Sequence, residues 1–282
     1  ALAGRIAGCD VLPLHGTLPF DEQRRAVAPS ARRKLILATN IAETSLTIDG
    51  VTTVVDSGLS RQVSFDPRRG LEKLSLGRIS RASATQRAGR AGRTAPGRCF
   101  RLWTAREHAE LLDFDPPELH RVDLAPTLLT LASWGAANVS AFGFFEPPDQ
   151  TTVLAAQRLL RMLGAVDEKS GRITNLGKRM ANLPLHPRLA RLLVDAVDGG
   201  RLEEGATVAA ILSERDFRLR DRSTAYRDRG PKELAVSDLL PRMELLEHAQ
   251  RRGFHPSLEA DGVDGVAARQ VVRTRDELLS RA

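Results

Sequence analysis

The residues best suited to chemistry in this 282-residue chain form an arginine octet, Gln86-Arg87-Ala88-Gly89-Arg90-Ala91-Gly92-Arg93. Arginine recurs at every third position from Arg87 to Arg93, and only Ala and Gly stand between. Guanidinium groups bind phosphate oxygens through paired, charge-assisted hydrogen bonds. Small neighbours let a second surface come close, so that the arginines aim across a gap. Arginines delivered to a γ-phosphate stabilise the charge that develops in phosphoryl transfer. A basic, glycine-broken surface loop is the plainer alternative for the octet taken alone.

A second candidate is Thr39-Asn40-Ile41-Ala42-Glu43-Thr44-Ser45-Leu46-Thr47-Ile48-Asp49-Gly50, directly after the apolar run Leu35-Ile36-Leu37-Ala38. In open α/β sheets ligands bind beyond the carboxyl ends of the strands. Hydroxyls, an amide and backbone N–H groups suit a sugar-phosphate chain, and Asp49 suits ribose hydroxyls. On its own the segment reads equally as a cap-rich strand-to-helix connection.

The elements that must position these groups are legible around them. Strands predicted at 11–14, 35–38, 51–55 and 97–102 alternate with helical stretches at 21–28 and 83–91. Such alternation implies a parallel sheet with covered faces. Asp66-Pro67-Arg68-Arg69-Gly70 is a turn signal and predicts a hairpin over 63–76. Beyond about residue 105 the pattern turns helical, with helices predicted at 124–134, 151–163, 189–197, 206–212, 234–250 and 266–279. The stretch 164–173 reads as a small β-wing.

Composition narrows the class. The chain is 42% hydrophobic, which supports a packed core, and it has no apolar run near the ~20 residues a bilayer span needs. Cys9 and Cys99 match no metal spacing, the six histidines are scattered, and a reducing cytoplasm is expected. Residues 1–104 hold 17 Lys and Arg against 8 Asp and Glu, whereas 105–282 hold 25 against 27. The basic excess sits with the octet and fits phosphate-bearing partners.

Together the two segments resemble a known family. Residues 35–50 are similar to motif V, and 83–93 to motif VI, of the DEAH-box helicases of superfamily 2. Leu14-His15-Gly16-Thr17-Leu18-Pro19 with Glu22-Gln23 resembles the preceding nucleic-acid-contacting motif. Ala95-Pro96-Gly97-Arg98-Cys99, Leu183-Pro184-Leu185-His186-Pro187-Arg188-Leu189-Ala190 and Leu212-Ser213-Glu214-Arg215-Asp216 point to the bacterial HrpB type. The resemblance covers about 1–220.

It implies an α/β fold: a partial RecA-like parallel-sheet domain (1–104), then a mainly α region. That region comprises a winged helix (105–183), a helical ratchet (184–220) and a helical C-terminal extension (221–282). It implies ATP-dependent helicase activity with Gln86 positioning the attacking water and Arg90 and Arg93 as arginine fingers. Asp49 would hold the nucleotide ribose together with those arginines. Gly16, Thr39, Asn40, Glu43, Thr44 and Ser45 would lie along the nucleic-acid backbone, and the hairpin would separate or move strands. The expected partner is a single strand, RNA over DNA. ATP and Mg2+ are the expected cofactors. No Gly-x-x-x-x-Gly-Lys-Ser/Thr loop and no Asp-Glu-Ala-His occur, so the magnesium ligands are expected on an N-terminal RecA-like domain of the same polypeptide, and this chain alone is expected to be inactive. A non-catalytic winged-helix nucleic-acid binder on a RecA-like scaffold is the alternative.

Other residues have plainer expectations. Arg87 is read as an ion pair within the domain, and Arg61, Arg68 and Arg69 as a solvated hairpin. Arg218, Arg220, Arg222, Arg227 and Arg229, interleaved with Asp221 and Asp228, are read as a solvated mixed-charge loop. Trp103 and Trp134 are expected in the core, and His186 as a cap or packing group.

Overall fold

The computed structural model describes residues 6, 8–16, 18–44, 48–66, 71–136, 139, 142–219 and 237–282. Contacts gather the chain into two compact units, 1–123 and 124–282.

In the first unit, β1 (Cys9–Leu14) runs parallel to β2 (Arg33–Ala38), in register from Cys9 opposite Arg33 to Leu14 opposite Ala38. Helix α1 (Phe20–Val27) joins them. Asp21 and Glu22 lie in its first turn and Arg24 and Arg25 in its last, each sign set against the helix dipole. Lys34 on β2 closes the far end: its Nζ donates to the carbonyls of Arg25 at 3.0 Å and Ala26 at 3.3 Å, and to that of Ala28. These are carbonyls a helix terminus leaves unpaired.

A one-turn helix α2 (Ile41–Thr44) follows β2. Strand β3 (Thr53–Asp56) then pairs in parallel with β6 (Arg98–Arg101). Between them come the antiparallel hairpin β4 (Leu59–Asp66) and β5 (Leu71–Arg78), helix α3 (Arg81–Gly89) and a 3-10 turn at Arg90–Gly92. The hairpin is longer at its base than the turn signal predicted, and 67–70 lie outside the described residues.

The parallel pairing is as expected, but the covered sheet is not. Among the described residues β1–β2 and β3–β6 are two separate two-stranded ribbons. Val55 and Phe100 stand opposite each other in register and remain 61% and 52% exposed. That face carries no covering element among the described residues.

Residues 105–123 pack with the first unit. Arg81 N donates to the Leu112 carbonyl at 2.8 Å, Ala82 N to that of Asp113 at 3.0 Å, and Phe65 N to that of Arg121 at 2.6 Å. Helix α4 (Ala105–Ala109) starts in a capping box: Thr104 Oγ1 accepts from Glu107 N, and the Glu107 carboxylate from Thr104 N at 2.8 Å. Arg78 at the hairpin base pairs with the same carboxylate.

The second unit is helical. Helix α5 (Ala125–Ser133) ends at Trp134, and α6 (Gln150–Met162) is capped by Asp149, which accepts from Thr152 N at 3.1 Å. The expected wing is reduced to a single antiparallel bridge, Val166 with Ile173. Helix α7 (Asn175–Ala181), which the periodicity did not predict, follows with Thr174 as its cap. Gly177 in α7 is required by packing, because a Cβ there would lie 2.0 Å from the Ala165 carbonyl oxygen.

Helices α8 (Pro187–Asp198) and α9 (Leu202–Ser213) pack closely, with Gly205 against Ala196. His186 caps α8, accepting from Arg188 N at 3.3 Å, one of the two roles expected of it. Beyond 220–236, which lie outside the described residues with Arg220, Arg222, Arg227 and Arg229, come α10 (Leu239–Arg251) and α11 (Gly265–Arg281). Arg218 is ion-paired with Asp216, and Phe217 beside it is buried. Helix α11 packs on α9 and α10, and Leu193, Ala206, Ile211, Val271 and Leu278 form the core.

Trp134 corrects the sequence expectation. It is 72% exposed, standing at the C-cap of α5 where the chain leaves the helix. Trp103, expected in the core, is half-buried and lies against Gly58, where a Cβ would be 2.8 Å from its ring.

Glu107 supplies a pH test. The Thr104 backbone N–H first, then Arg78 and the Thr104 hydroxyl, hold its carboxyl at about 2 against an ordinary 4.5. A depressed carboxylate stabilises the fold fully above its unfolded value and loses that contribution as pH falls through the folded one. The stability difference between wild type and Glu107→Gln, followed by denaturant titration, is therefore expected to be constant above about pH 4.5 and to vanish by about pH 2. A difference that grows on acidification contradicts the assignment.

Candidate nucleotide and nucleic-acid site

The octet forms α3 and the 3-10 turn after it. Ser80 caps the helix, accepting from Ser83 N at 3.1 Å, and its own hydroxyl donates to Asp115 at 3.2 Å. Ser83 and Ala84 are buried, which fixes the helix face turned to solvent. Gln86 and Arg93 are exposed, whereas Arg87 and Arg90 are half-buried.

Arg87 points inward. Its Nε donates to Glu43 Oε2 at 2.9 Å, and its Nη1 to Asp56 Oδ1 at 3.0 Å and the Leu59 carbonyl at 3.1 Å. The side chains of Arg87, Glu43 and Asp56 are 14%, 15% and 2% exposed, so this is a largely desolvated triad rather than a surface pair. Asp56 Oδ1 also accepts from Gly58 N at 3.0 Å, while Oδ2 has no hydrogen-bond partner among the described residues. The domain-internal ion pair expected for Arg87 is thus present.

Arg90 lies between inside and outside. Its Nε donates to the Glu43 carbonyl at 2.8 Å and its Nη2 to the same oxygen. Burial first and the Arg93 charge second pull its pKa down, opposed by Glu43. The same Asp56 carboxylate, after burial itself, pushes the Cys99 thiol up, against the pull of Arg101.

The structure therefore brings Glu43 of the second segment together with Arg87 and Arg90 of the octet. Glu43 holds both through different atoms, so its carboxylate is engaged within the chain. Thr39 and Asn40 are exposed at the end of β2, where Thr39 N donates to the Leu14 carbonyl at 3.1 Å and ties the ends of β1 and β2. Gly16 and Asp49 are exposed as well. Thr44 closes α2, and Ser45, with Leu46 and Thr47, lies outside the described residues, as does Thr17. Sequence reasoning missed Asp56. Its signal was a carboxylate ending an apolar strand, before Ser57-Gly58.

The glycines separate two roles. Gly97 is required inside: a Cβ there would lie 1.8 Å from the Ala91 carbonyl oxygen. Around Gly16, Gly89 and Gly92 nothing among the described residues lies within 4 Å of a Cβ, and none of them takes a positive φ. Neither packing against the described residues nor backbone conformation asks for glycine at these three positions. They are bare backbone beside exposed polar groups, which fits a close approach from outside. Among the described residues no three His, Cys, Asp or Glu side chains gather for a metal.

Comparison with known proteins agrees with this geometry. Residues 2–95 match the family described as helicase conserved C-terminal domain, and residues 156–185 match the helicase associated domain (HA2), winged-helix. The chain is 43% identical over 206 residues to the pre-mRNA-splicing factor ATP-dependent RNA helicase prp22 of Schizosaccharomyces pombe, covering 72% of this chain and 18% of that protein. The crystal structure of the E. coli DExH-box NTPase HrpB matches with TM-score 0.72 at 34% identity, over all of this chain and 31% of the other. A second, of the Escherichia coli DEAH/RHA helicase HrpB, matches with TM-score 0.75 at 35% identity, over 99% and 31%. The chain thus spans under a third of the length of these relatives.

Fold and matched segments define a superfamily 2 helicase C-terminal domain of RecA type followed by a helicase-associated helical region. Within that class the chain belongs with the DEAH-box helicases of the HrpB type.

The two kinds of glycine predict opposite outcomes. Gly97→Ala is expected to lose about 1–3 kcal/mol in chemical denaturation, from the clash with Ala91. Gly89→Ala is expected to keep full stability or to gain up to about 1 kcal/mol from helix propensity. Equal losses in both would contradict the division.

Proposed function

We propose that the chain is the part of an ATP-dependent nucleic-acid helicase that supplies the arginine fingers and one wall of the strand-binding channel. The observation that carries this reading is the junction at Glu43, where the expected strand-contacting segment and the expected phosphate-contacting helix meet in one residue. The exposed glycines Gly89 and Gly92 support it, since they leave room for a second surface beside Arg90 and Arg93.

In this reading ATP and Mg2+ sit mainly on an N-terminal RecA-like domain of the full-length protein. Gln86 orients the attacking water, and Arg90 and Arg93 neutralise charge that develops on the γ-phosphate. Asp49 accepts from the ribose. Gly16, Thr39, Asn40, Glu43, Thr44 and Ser45 line the path of the strand. Glu43 is engaged with Arg87, so its side chain borders that path and its role is to hold the wall. Contacts to the backbone alone make stepping independent of sequence.

RNA is the proposed track, a choice supported by the name of the splicing relative. The chain is proposed to divide as a RecA-like domain, a winged helix, a ratchet and an extension, with the boundaries 104, 183 and 220, although residues 105–123 pack in one compact unit with the first of these. Among the described residues no helix is long and apolar enough to cross a membrane, and a cytoplasmic site of action is proposed.

Arg90→Ala in the full-length protein is expected to lower kcat for ATP by about a thousandfold or more while changing nucleotide affinity little. Steady-state hydrolysis beside equilibrium binding of a fluorescent ATP analogue measures both. Unchanged turnover would falsify the finger assignment.

A further inference from the structure

Arg90 is already committed. Two of its nitrogens donate to one oxygen, the Glu43 carbonyl, so it reaches a phosphate only after giving that oxygen up. The carbonyl belongs to α2, a single turn entered by Ala42 N donating to the Thr39 carbonyl at 3.3 Å and Glu43 N to that of Asn40 at 2.9 Å. One turn fixes several dihedrals for little hydrogen bonding and does not hold its own position. Its position is set from outside. Arg87 grips the Glu43 carboxylate and is itself braced by Asp56 and the Leu59 carbonyl. Glu43 therefore carries two arginines of one helical segment, the first by its side chain and the second by its backbone.

We propose that Arg87 is a positioning residue that keeps Arg90 parked on the Glu43 carbonyl until α2 shifts, an inference that rests on the finger reading of Arg90. Helix α2 begins directly after Thr39 and Asn40, the exposed pair proposed to meet the strand. Binding that draws α2 away from α3 removes the Glu43 carbonyl from Arg90 and loosens the hold of the chain on the guanidinium. Without a strand the finger stays parked and hydrolysis is slow. The latch is thus a brake on futile turnover, set by the bidentate fork of Arg87, which a lysine cannot reproduce.

The test uses the full-length protein and three variants, Arg87→Lys, Asp56→Asn and Arg90→Ala. ATP turnover is measured with and without single-stranded RNA, together with KM for ATP. Arg87→Lys keeps the charge and loses the fork. Asp56→Asn keeps the acceptor shape and loses the charge that braces Arg87. Each is expected to raise strand-free kcat by about tenfold, the effect of weakening one charge-assisted hydrogen bond in the parked arrangement. KM is expected to move less than kcat, and the ratio of stimulated to strand-free turnover to fall accordingly.

A purely structural role for Arg87 would lower both rates together. A ratio that stays at the wild-type value in both variants, or falls only because the stimulated rate drops, overturns the latch. Arg90→Ala separates the two readings. If it abolishes turnover while the ratios of the other variants are unchanged, the latch alone fails. If it leaves turnover intact, the finger reading fails and takes the latch with it.

Discussion

The buried carboxylate of Asp56 constrains the rest of the first unit. A charge taken out of water at the end of β3 must be met by a counter-charge and by donors. Arg87 and the Gly58 N–H meet it, and the face of Trp103 closes over Gly58. Those contacts fix α3 against β3. The second branch of the Arg87 fork then fixes α2 against α3 through Glu43. Burying such a triad contributes little net stability, because desolvation offsets most of the attraction. Its effect is geometric: one register of α3 satisfies the carboxylate, and that register decides which residues of the octet face outward.

The octet is accordingly divided by helical rotation. Arg87 is spent on the interior, Gln86 and Arg93 are exposed, and Arg90 sits at the border on a backbone carbonyl. Glycine follows the same division. Gly97 lets the loop before β6 lie on the 3-10 turn, whereas a Cβ on Gly89 or Gly92 would meet nothing among the described residues. A surface that holds arginines and also keeps bare backbone is built to be approached. The proposed partner, an ATP bound on a neighbouring RecA-like domain, would account for both features.

Much of this was legible in sequence, for physical reasons. The strands at 11–14 and 35–38 are short apolar runs bounded by turn residues, and Asp66-Pro67 marks a hairpin whatever surrounds it. Helix α3 follows from residue type and spacing, and the phosphate chemistry of its arginines is proposed from the same pattern. What sequence could not give is mostly contact through backbone. The Glu43 carbonyl that holds Arg90 has no residue signature, since any residue carries a carbonyl. The exposure of Trp134 depends on where α5 ends, and indole hydrophobicity alone pointed the other way. Helix α7 is too short for its periodicity to stand out from the neighbouring turn. The covered sheet was inferred from alternation, which fixes strand direction and says nothing about what lies on each face.

The central claim is that strand contact and nucleotide chemistry are joined through this chain. Its most direct test is ATP hydrolysis by the full-length wild-type protein titrated with single-stranded RNA and, separately, single-stranded DNA. The account predicts turnover that rises saturably with the strand and at the concentrations that bind it. Steep salt-dependent binding with no change in hydrolysis would contradict it, and would make the chain a nucleic-acid-binding module on a RecA-like scaffold.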